Sequence, residues 1–294
     1  MVWAKMSFSD MVRGVSCTDF AQESLPLSTP TMLVTGASDG IGFQTALQLG
    51  KGGVSLLVHA RNEAKASDVV KRLAADGLKA AAVWGDLSVM AEVRSLAAQV
   101  KQLAPSLDGV VNNAGVFVHE LQRTADGFEL TFAVNHFAPF LLTHELLPVL
   151  SPTARVVNVS SIAHNRGRVT PNDLPVPKTF DGYGVYAASK LLNVYFTHEL
   201  ALRLSARGKT VSTFALHPGV ITTKLLQSGF GMGGASVESG ARTSVFCATS
   251  SKVGASGTYY SDSREVACAP HANDRALEQA LYEKSCQLTG CAPL

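Results

Sequence analysis

The stretch TGASDGIG, Thr35 to Gly42, joins the end of an apolar run (MLV) to the start of a helix-like segment (GIGFQTALQLGKGG). Glycines at 36, 40 and 42 let a backbone turn tightly and approach a ligand closely. A helix that starts inside such a turn offers free N–H groups and the positive end of its dipole, which suit a pyrophosphate. The spacing is Gly-x-x-x-Gly-x-Gly rather than the commoner Gly-x-Gly-x-x-Gly. A glycine cluster on its own is usually a plain turn. Its placement after the first strand of a βαβ series makes it a nucleotide-binding signal.

That series runs outward from the turn. VSLLVHA, AAAVWGD, LDGVVNNAG, RVVNVSS and TVSTFALHPG read as further short strands. Between them lie helical patterns: NEAKASDVVKRLAADG, VMAEVRSLAAQVKQLA, a long apolar segment over 129–150, and another from Tyr186 to Gly208. Asn62 fits an N-cap and Gly77 a helix stop. Almost wholly apolar strands alternating with helices imply a parallel sheet covered on both faces. The fold class expected is α/β, a doubly wound parallel sheet of Rossmann type in a single domain. Residues 31–294 form that domain, and residues 1–30 are read as an N-terminal extension.

The chain has 294 residues, 46% hydrophobic and 16% charged, with a formal net charge of +2. A sizeable core follows, and nothing in the charge supports nucleic-acid binding. Five scattered cysteines without a Cys-x-x-C pair read as reduced thiols, and no metal-ligand spacing is present. No apolar run is long enough to span a bilayer, and the first thirty residues lack a signal-peptide core. A cytoplasmic protein without a membrane span is expected.

The second strand ends His59-Ala60-Arg61-Asn62. In this fold an acidic residue there holds the ribose 2′-hydroxyl of NAD, whereas an arginine holds the 2′-phosphate of NADP. Arg61 offers the planar fork a phosphate needs, although Asp39 places a carboxylate nearby. NADP(H) is favoured, with NAD(H) as the alternative. Asp86, after the third strand, suits either an adenine contact or a helix N-cap.

Tyr186 and Lys190, in YAASK, share a helix face. A free phenol titrates near ~10, and a neighbouring cation, joined by the positive ring of an oxidised nicotinamide, favours the phenolate. Such a group is a proton donor and acceptor of the kind alcohol–carbonyl interconversion needs. Ser161 stands where the fifth strand should end, the place where ligands of open α/β sheets bind. Asn135 is a polar residue inside an apolar helix. Each of these has a local alternative: a surface lysine, a turn-forming serine, a solvent-facing asparagine.

Together, TGASDGIG, NNAG at 112–115, Asn135 in VNHF, NVSS, YAASK and HPGVITT at 217–223 resemble the short-chain dehydrogenase/reductase superfamily over residues 31–294. ARNEAK, DGFELTFAVNHFAPFLLT, RVVNVSSIAH, SKLLNV and YYSDSREVACAP are similar to its retinol dehydrogenase and WW-domain oxidoreductase branch. So is the separation of Ser161 and Tyr186 by 186 − 161 = 25 positions. The resemblance implies a catalytic set of Asn135, Ser161, Tyr186 and Lys190. Tyr186 would exchange the proton and Lys190 would also bind the ribose. Ser161, rather than Ser160, would orient the substrate oxygen, and Asn135 would hold a relay water. It also implies coenzyme contacts from Gly36, Ser38, Asp39, Gly40, Ile41, Gly42, Arg61, Asn62, Asp86, Leu87, Asn113, Ala114, Gly115, Pro218, Gly219, Val220 and Thr223. Thr222 is a weaker candidate for the same carboxamide grip as Thr223.

The segment from Leu225 to Gly240 occupies the family's lid position, and Phe230 and Met232 there hint at a lipophilic substrate: a retinoid, steroid, lipid aldehyde or xenobiotic ketone. The apolar faces at 130–150 and 190–204 permit a homodimer or homotetramer. Two rival readings are a catalytically silent dinucleotide-binding scaffold and a nucleotide-sugar epimerase-like enzyme. The intact Asn-Ser-Tyr-Lys set opposes the first, and the glycine spacing opposes the second.

Overall fold

The computed structural model describes residues 29–294. The extension expected over residues 1–30 therefore lies, through residue 28, outside the described residues. Eight strands form one sheet in the order β3-β2-β1-β4-β5-β6-β7-β8. The strands are β1 (Thr31–Val34), β2 (Ser55–Ala60), β3 (Ala80–Trp84), β4 (Leu107–Asn112), β5 (Leu150–Val159), β6 (Ser212–His217), β7 (Tyr259–Ser261) and β8 (Arg264–Glu265). All neighbours pair in parallel except β7 and β8. The chain runs outward from β1 to β3 and then returns to place β4 on the other side of β1. Such a reversal opens a crevice at the carboxyl ends of β1 and β4.

Side chains alternate across each strand, and that alternation sorts the core into two layers. Leu33, Leu57, Val83 and Val110 face the layer of α3 (Met90–Leu103), α5 (Ala138–Leu146) and α6 (Gly182–Ala206). Met32, Val34, Leu56, Val58 and Val111 face the layer of α1 (Gly40–Lys51), α2 (Glu63–Ala75) and α8 (Val237–Thr249). Asn62 caps α2, accepting from Lys65 N at 3.0 Å, and Gly77 follows the helix at φ +73°. Asp86 caps no helix: it accepts from the backbone and hydroxyl of Ser88, while Asp126 takes the Met90 N–H at the start of α3.

Three boundaries differ from the sequence expectation. The helix expected over 129–150 is α4 (Leu130–Phe132), a π-helical turn (Ala133–Phe137) and α5, ending in a 3₁₀ turn over Leu147–Val149. Its last expected residue, Leu150, already belongs to β5. The helix containing YAASK starts at Gly182, four residues early, because Asp181 accepts from Gly184 N and caps it. Two glycines in that first turn mask the helical pattern, and Gly182 is needed there because a Cβ would meet Val118 O at 2.5 Å. Third, the expected lid over Leu225–Gly240 begins as a helix, α7 (Lys224–Phe230). Beyond it, α8, β7, β8 and α9 (Arg275–Thr289) complete the domain. Among the described residues, no helix is long and apolar enough to cross a membrane.

Candidate active site

The crevice between β1 and β4 opens into a cavity of about 950 Å³. The glycine turn forms one end. Gly36 and Gly40 have φ of +64° and +55°, a region that L side chains rarely enter. At Gly42 a Cβ would lie 2.2 Å from Gly36 O, so the turn closes only around glycine. Asp39 stands at the N-cap of α1 yet makes no capping hydrogen bond. Its carboxylate pairs instead with Lys224 at the start of α7, at 2.5 Å. The first N–H groups of α1 are thereby left for an anion, and the carboxylate that argued against an extra phosphate is matched by a cation.

The turn is held from three sides. Asn113 donates through Nδ2 to Thr35 O at 2.9 Å, and its backbone N–H donates to Thr35 Oγ1. His59 accepts from Gly36 N through Nδ1 at 3.2 Å and meets Gly85 O through Nε2 at 2.9 Å. Burial drives the His59 pKa down to about 4, so the ring is neutral, with Nε2 protonated. Arg72 donates to Ser38 O at 2.9 Å and lies over the Phe43 ring. The sequence reading overlooked His59 and Arg72. The signal for His59 was a polar residue in the otherwise apolar strand SLLVHA.

Every expected coenzyme contact except Asn62 lines the same cavity. Gly36, Ser38, Asp39, Gly40, Ile41, Gly42, Arg61, Asp86, Leu87, Asn113, Ala114 and Gly115 line it, as do Pro218, Gly219, Val220 and Thr223. Asn62 is committed to capping α2. Thr223 caps α7, and the Thr222 hydroxyl is taken up by Gly234, to which it donates at 2.8 Å. Arg61 is largely exposed and approaches Asp86 at 3.8 Å; Lys65, which the sequence reading passed over, lines the cavity near it.

At the other end, Ser161, Tyr186 and Lys190 line the cavity. Ser160 turns away and donates to Lys190 O at 2.7 Å. Ser161 instead lines the cavity beside Tyr186, its hydroxyl accepting from Ala163 N at 3.2 Å. Buried His164 fixes the Ser161 turn through Ser161 O (2.7 Å) and the Ala269 N–H (3.1 Å). Lys190 is 3% exposed, and its ammonium donates to Val159 O at 3.0 Å. Asn135 lies in the π-helical turn. Its Oδ1 accepts from Val116 N at 2.7 Å, while Nδ2 donates to Val116 O and to Ser189 Oγ, both at 3.0 Å. π-helical turns of this kind concentrate at functional sites.

Electrostatics differ from the expectation in one respect. Burial pushes the Tyr186 phenol up to about 12, against the opposing effect of the Ser161 side chain. Burial also lowers Lys190 to about 8. Desolvation leads for both groups; the ammonium is tethered to Val159 O and sits 5.6 Å from the phenol's ring centroid. The chain by itself thus holds a protonated phenol beside a lysine that is still charged at neutral pH.

Two aromatic rings pack against the phenol ring, and Tyr183 extends the cluster. Phe117 lies 5.8 Å from the Tyr186 ring and 4.7 Å from Phe230; Phe230 is 5.8 Å from Tyr186 and 6.1 Å from Tyr183. Phe230 brings α7 down onto the site. Ile162, Tyr183, Val220 and Met232 are exposed apolar residues at the cavity mouth.

The family model described as short chain dehydrogenase matches residues 30–231. Retinol dehydrogenase 12 of Bos taurus is 36% identical over 273 residues, covering 88% of this chain and 86% of the relative. A structure of an uncharacterised protein from Mycobacterium paratuberculosis aligns with TM-score 0.78 at 31% identity, covering 90% of this chain and 95% of that one. A blue fluorescent protein from a metagenomic library, solved in complex with NADPH, aligns with TM-score 0.63 at 27% identity, covering 78% of this chain and 94% of that one. With its glycine turn, its parallel sheet and its Asn-Ser-Tyr-Lys cluster at one crevice, the chain belongs to the short-chain dehydrogenase family, in the retinol dehydrogenase-like branch.

Proposed function

We propose that the chain is an NADP(H)-dependent oxidoreductase that interconverts an alcohol and a carbonyl on a lipophilic substrate, with Tyr186 as general acid/base. One observation carries the reading: Ser161, Tyr186 and Lys190 line the same cavity as the glycine turn. The residues fit a dinucleotide. A turn with no room for a Cβ at Gly42 and a helix start left uncapped by Asp39 form a pyrophosphate cradle. Ala60, where NAD-binding relatives of this fold place an acid, is followed by Arg61, and Lys65 adds a second cation. The NADPH-bound relative supports the same coenzyme.

When bound, a nicotinamide supplies or accepts the hydride. The chain's own residues do the rest. Ser161 orients the substrate oxygen toward the phenol. A Tyr186 hydroxyl that stays protonated at neutral pH gives its proton to the oxygen of a carbonyl and takes it back from an alcohol in the reverse direction. Lys190 balances that proton: its ammonium, charged below about 8, replaces the one given to a carbonyl, and its neutral amine takes up the one released by an alcohol. Asn135 fixes Gly115 and Val116 against the lysine: a Cβ on Gly115 would stand 3.4 Å from Asn135 Oδ1 and 3.5 Å from Lys190 Nζ. Phe117, Tyr183 and Phe230 give the substrate end an aromatic wall, in keeping with an apolar substrate of the retinoid, steroid or lipid aldehyde class.

The test is Tyr186→Phe, followed by NADPH absorbance across a panel of apolar aldehydes and ketones. Turnover should fall by about 10³-fold, while NADPH affinity, measured by fluorescence, stays within about threefold. Unchanged turnover in the variant would overturn the assignment.

A further inference from the structure

A second group of chemically reactive side chains lies away from the cavity, where the end of α9 packs against α5 near the start of β5. His144, near the end of α5, meets Cys286 and Cys291 at the end of α9. Their ligand atoms all lie within 4.8 Å of one another. Cysteine spacing gave no hint of this group, because the imidazole is contributed from a helix some 140 positions away in the chain.

Local structure explains how the two thiols meet. Helix α9 ends at Gly290, whose φ is +69° and whose N–H donates to Cys286 O at 2.8 Å. That left-handed closure folds the residue after the glycine back over the last turn. Cys291 is so brought onto Cys286. A hydrophobic pair would satisfy this geometry; here both positions are cysteine, and a histidine faces them.

We propose that His144, Cys286 and Cys291 form a binding site for a thiophilic divalent cation of the zinc class. Two thiolates and an imidazole are the donor set such ions select. The imidazole has the required tautomer. Nδ1 donates to Phe140 O at 2.7 Å, so Nε2 carries the lone pair, the form of the ring that can ligate. Metal-binding histidines are oriented by this kind of backbone hydrogen bond. Nε2 now accepts from the Tyr282 hydroxyl at 2.6 Å. An ion displaces that hydroxyl, which then stands beside the fourth coordination position. Zn–S and Zn–N bonds of about 2.3 and 2.0 Å put donors less than about 4 Å apart, so about 1 Å of side-chain movement closes the site.

The surroundings also suit it. Each thiol releases its proton to solvent on binding. Arg94, which donates to Thr289 O, shares the Glu145 carboxylate with Lys101. The apolar shell of Phe140, Phe196 and Leu204 limits water. Bound metal would pin α9 to α5 and thereby to α6, the helix that carries Tyr186 and Lys190.

The test uses the full chain, reduced and freed of metal with a chelator. Cadmium titration should give a 1:1 thiolate-to-metal charge-transfer band, and zinc should displace it with a dissociation constant of about 1 µM or lower. Zinc should also raise the melting temperature. Cys291→Ser, at a half-buried position near the end of the chain, should keep the parent circular dichroism and weaken zinc binding by about tenfold or more. Tyr282→Phe should retain binding. No 1:1 binding at micromolar zinc, binding unaltered in Cys291→Ser, or a Cys286–Cys291 disulfide in anaerobically purified protein would each overturn the proposal.

Discussion

The Lys190 ammonium lies 3.0 Å from Val159 O, anchored to the end of β5 rather than to the phenol four residues before it. The lysine is therefore buried, charged at neutral pH and satisfied by one carbonyl of the sheet. That combination costs stability, and the next expectation follows from it.

Burial lowers Lys190 from 10.5 to about 8. A lowered lysine pKa means the unfolded chain binds more protons between those values, so this group's contribution to stability rises as pH climbs from 8 to 10.5. At pH 7 the charged, buried lysine costs about 3 kcal/mol, offset by about 1 kcal/mol for its hydrogen bond. Lys190→Met should melt a few degrees higher than the parent at pH 7 while turnover falls about 100-fold or more. Calorimetry alongside NADPH absorbance checks both; a destabilised variant would show that the lysine stabilises the fold.

Arg61 is exposed and only loosely paired with Asp86 at 3.8 Å. If it grips a 2′-phosphate, Arg61→Ala should raise the KM for NADPH about tenfold or more and leave that for NADH nearly unchanged. Equal losses for both coenzymes would remove the phosphate role.

Phe230 ties α7 to Phe117, Tyr183 and Tyr186. Aromatic contacts of this kind are worth about 0.5–1.5 kcal/mol each. Phe230→Ala should raise KM for apolar carbonyl substrates about tenfold with little change in coenzyme affinity, measured by stopped-flow binding. A fall in kcat alone would place Phe230 outside the substrate wall.

His198 donates through Nδ1 to Glu278 at 2.7 Å, joining α6 to α9. Burial disfavours its charge, but hydrogen bonds to Cys268 and Glu278 outweigh burial and raise it from 6.5 to about 9. A raised histidine pKa gives stability that is fully present below pH 6.5 and lost as pH rises toward 9. Between pH 6.5 and 8, below the range where Lys190 acts in the opposite sense, stability should drop by about 1–2 kcal/mol. His198→Gln should flatten that slope in thermal melts.

Strands β1 to β6 and the helices between them were legible because each carries an unbroken apolar run or a clear cap such as Asn62. The glycine turn was legible because only glycine tolerates its close approaches. What stayed hidden depends on distant partners. The π-helical turn at Asn135 shows no mark in an apolar helix, since it is set by Val116 and Ser189. The early start of α6 is masked by Gly182 and Gly184. The rise of the Tyr186 pKa could not be read from its Lys190 neighbour, because it comes from burial under Phe117 and Phe230. Lys224, the partner of Asp39, lies 185 positions further along the chain.

Asn135 behaves toward Val116 as a neighbouring strand would, offering one acceptor and one donor to the same residue's N–H and C=O. A carboxamide is the side chain that mimics a peptide unit in this way; aspartate would keep the acceptor for the N–H but set its second oxygen against the carbonyl, and alanine would offer neither. Inactivity after changing this position therefore speaks first to the shape of the loop carrying Gly115 and only afterwards to proton movement, so mutagenesis there must be read with a structure of the variant in hand.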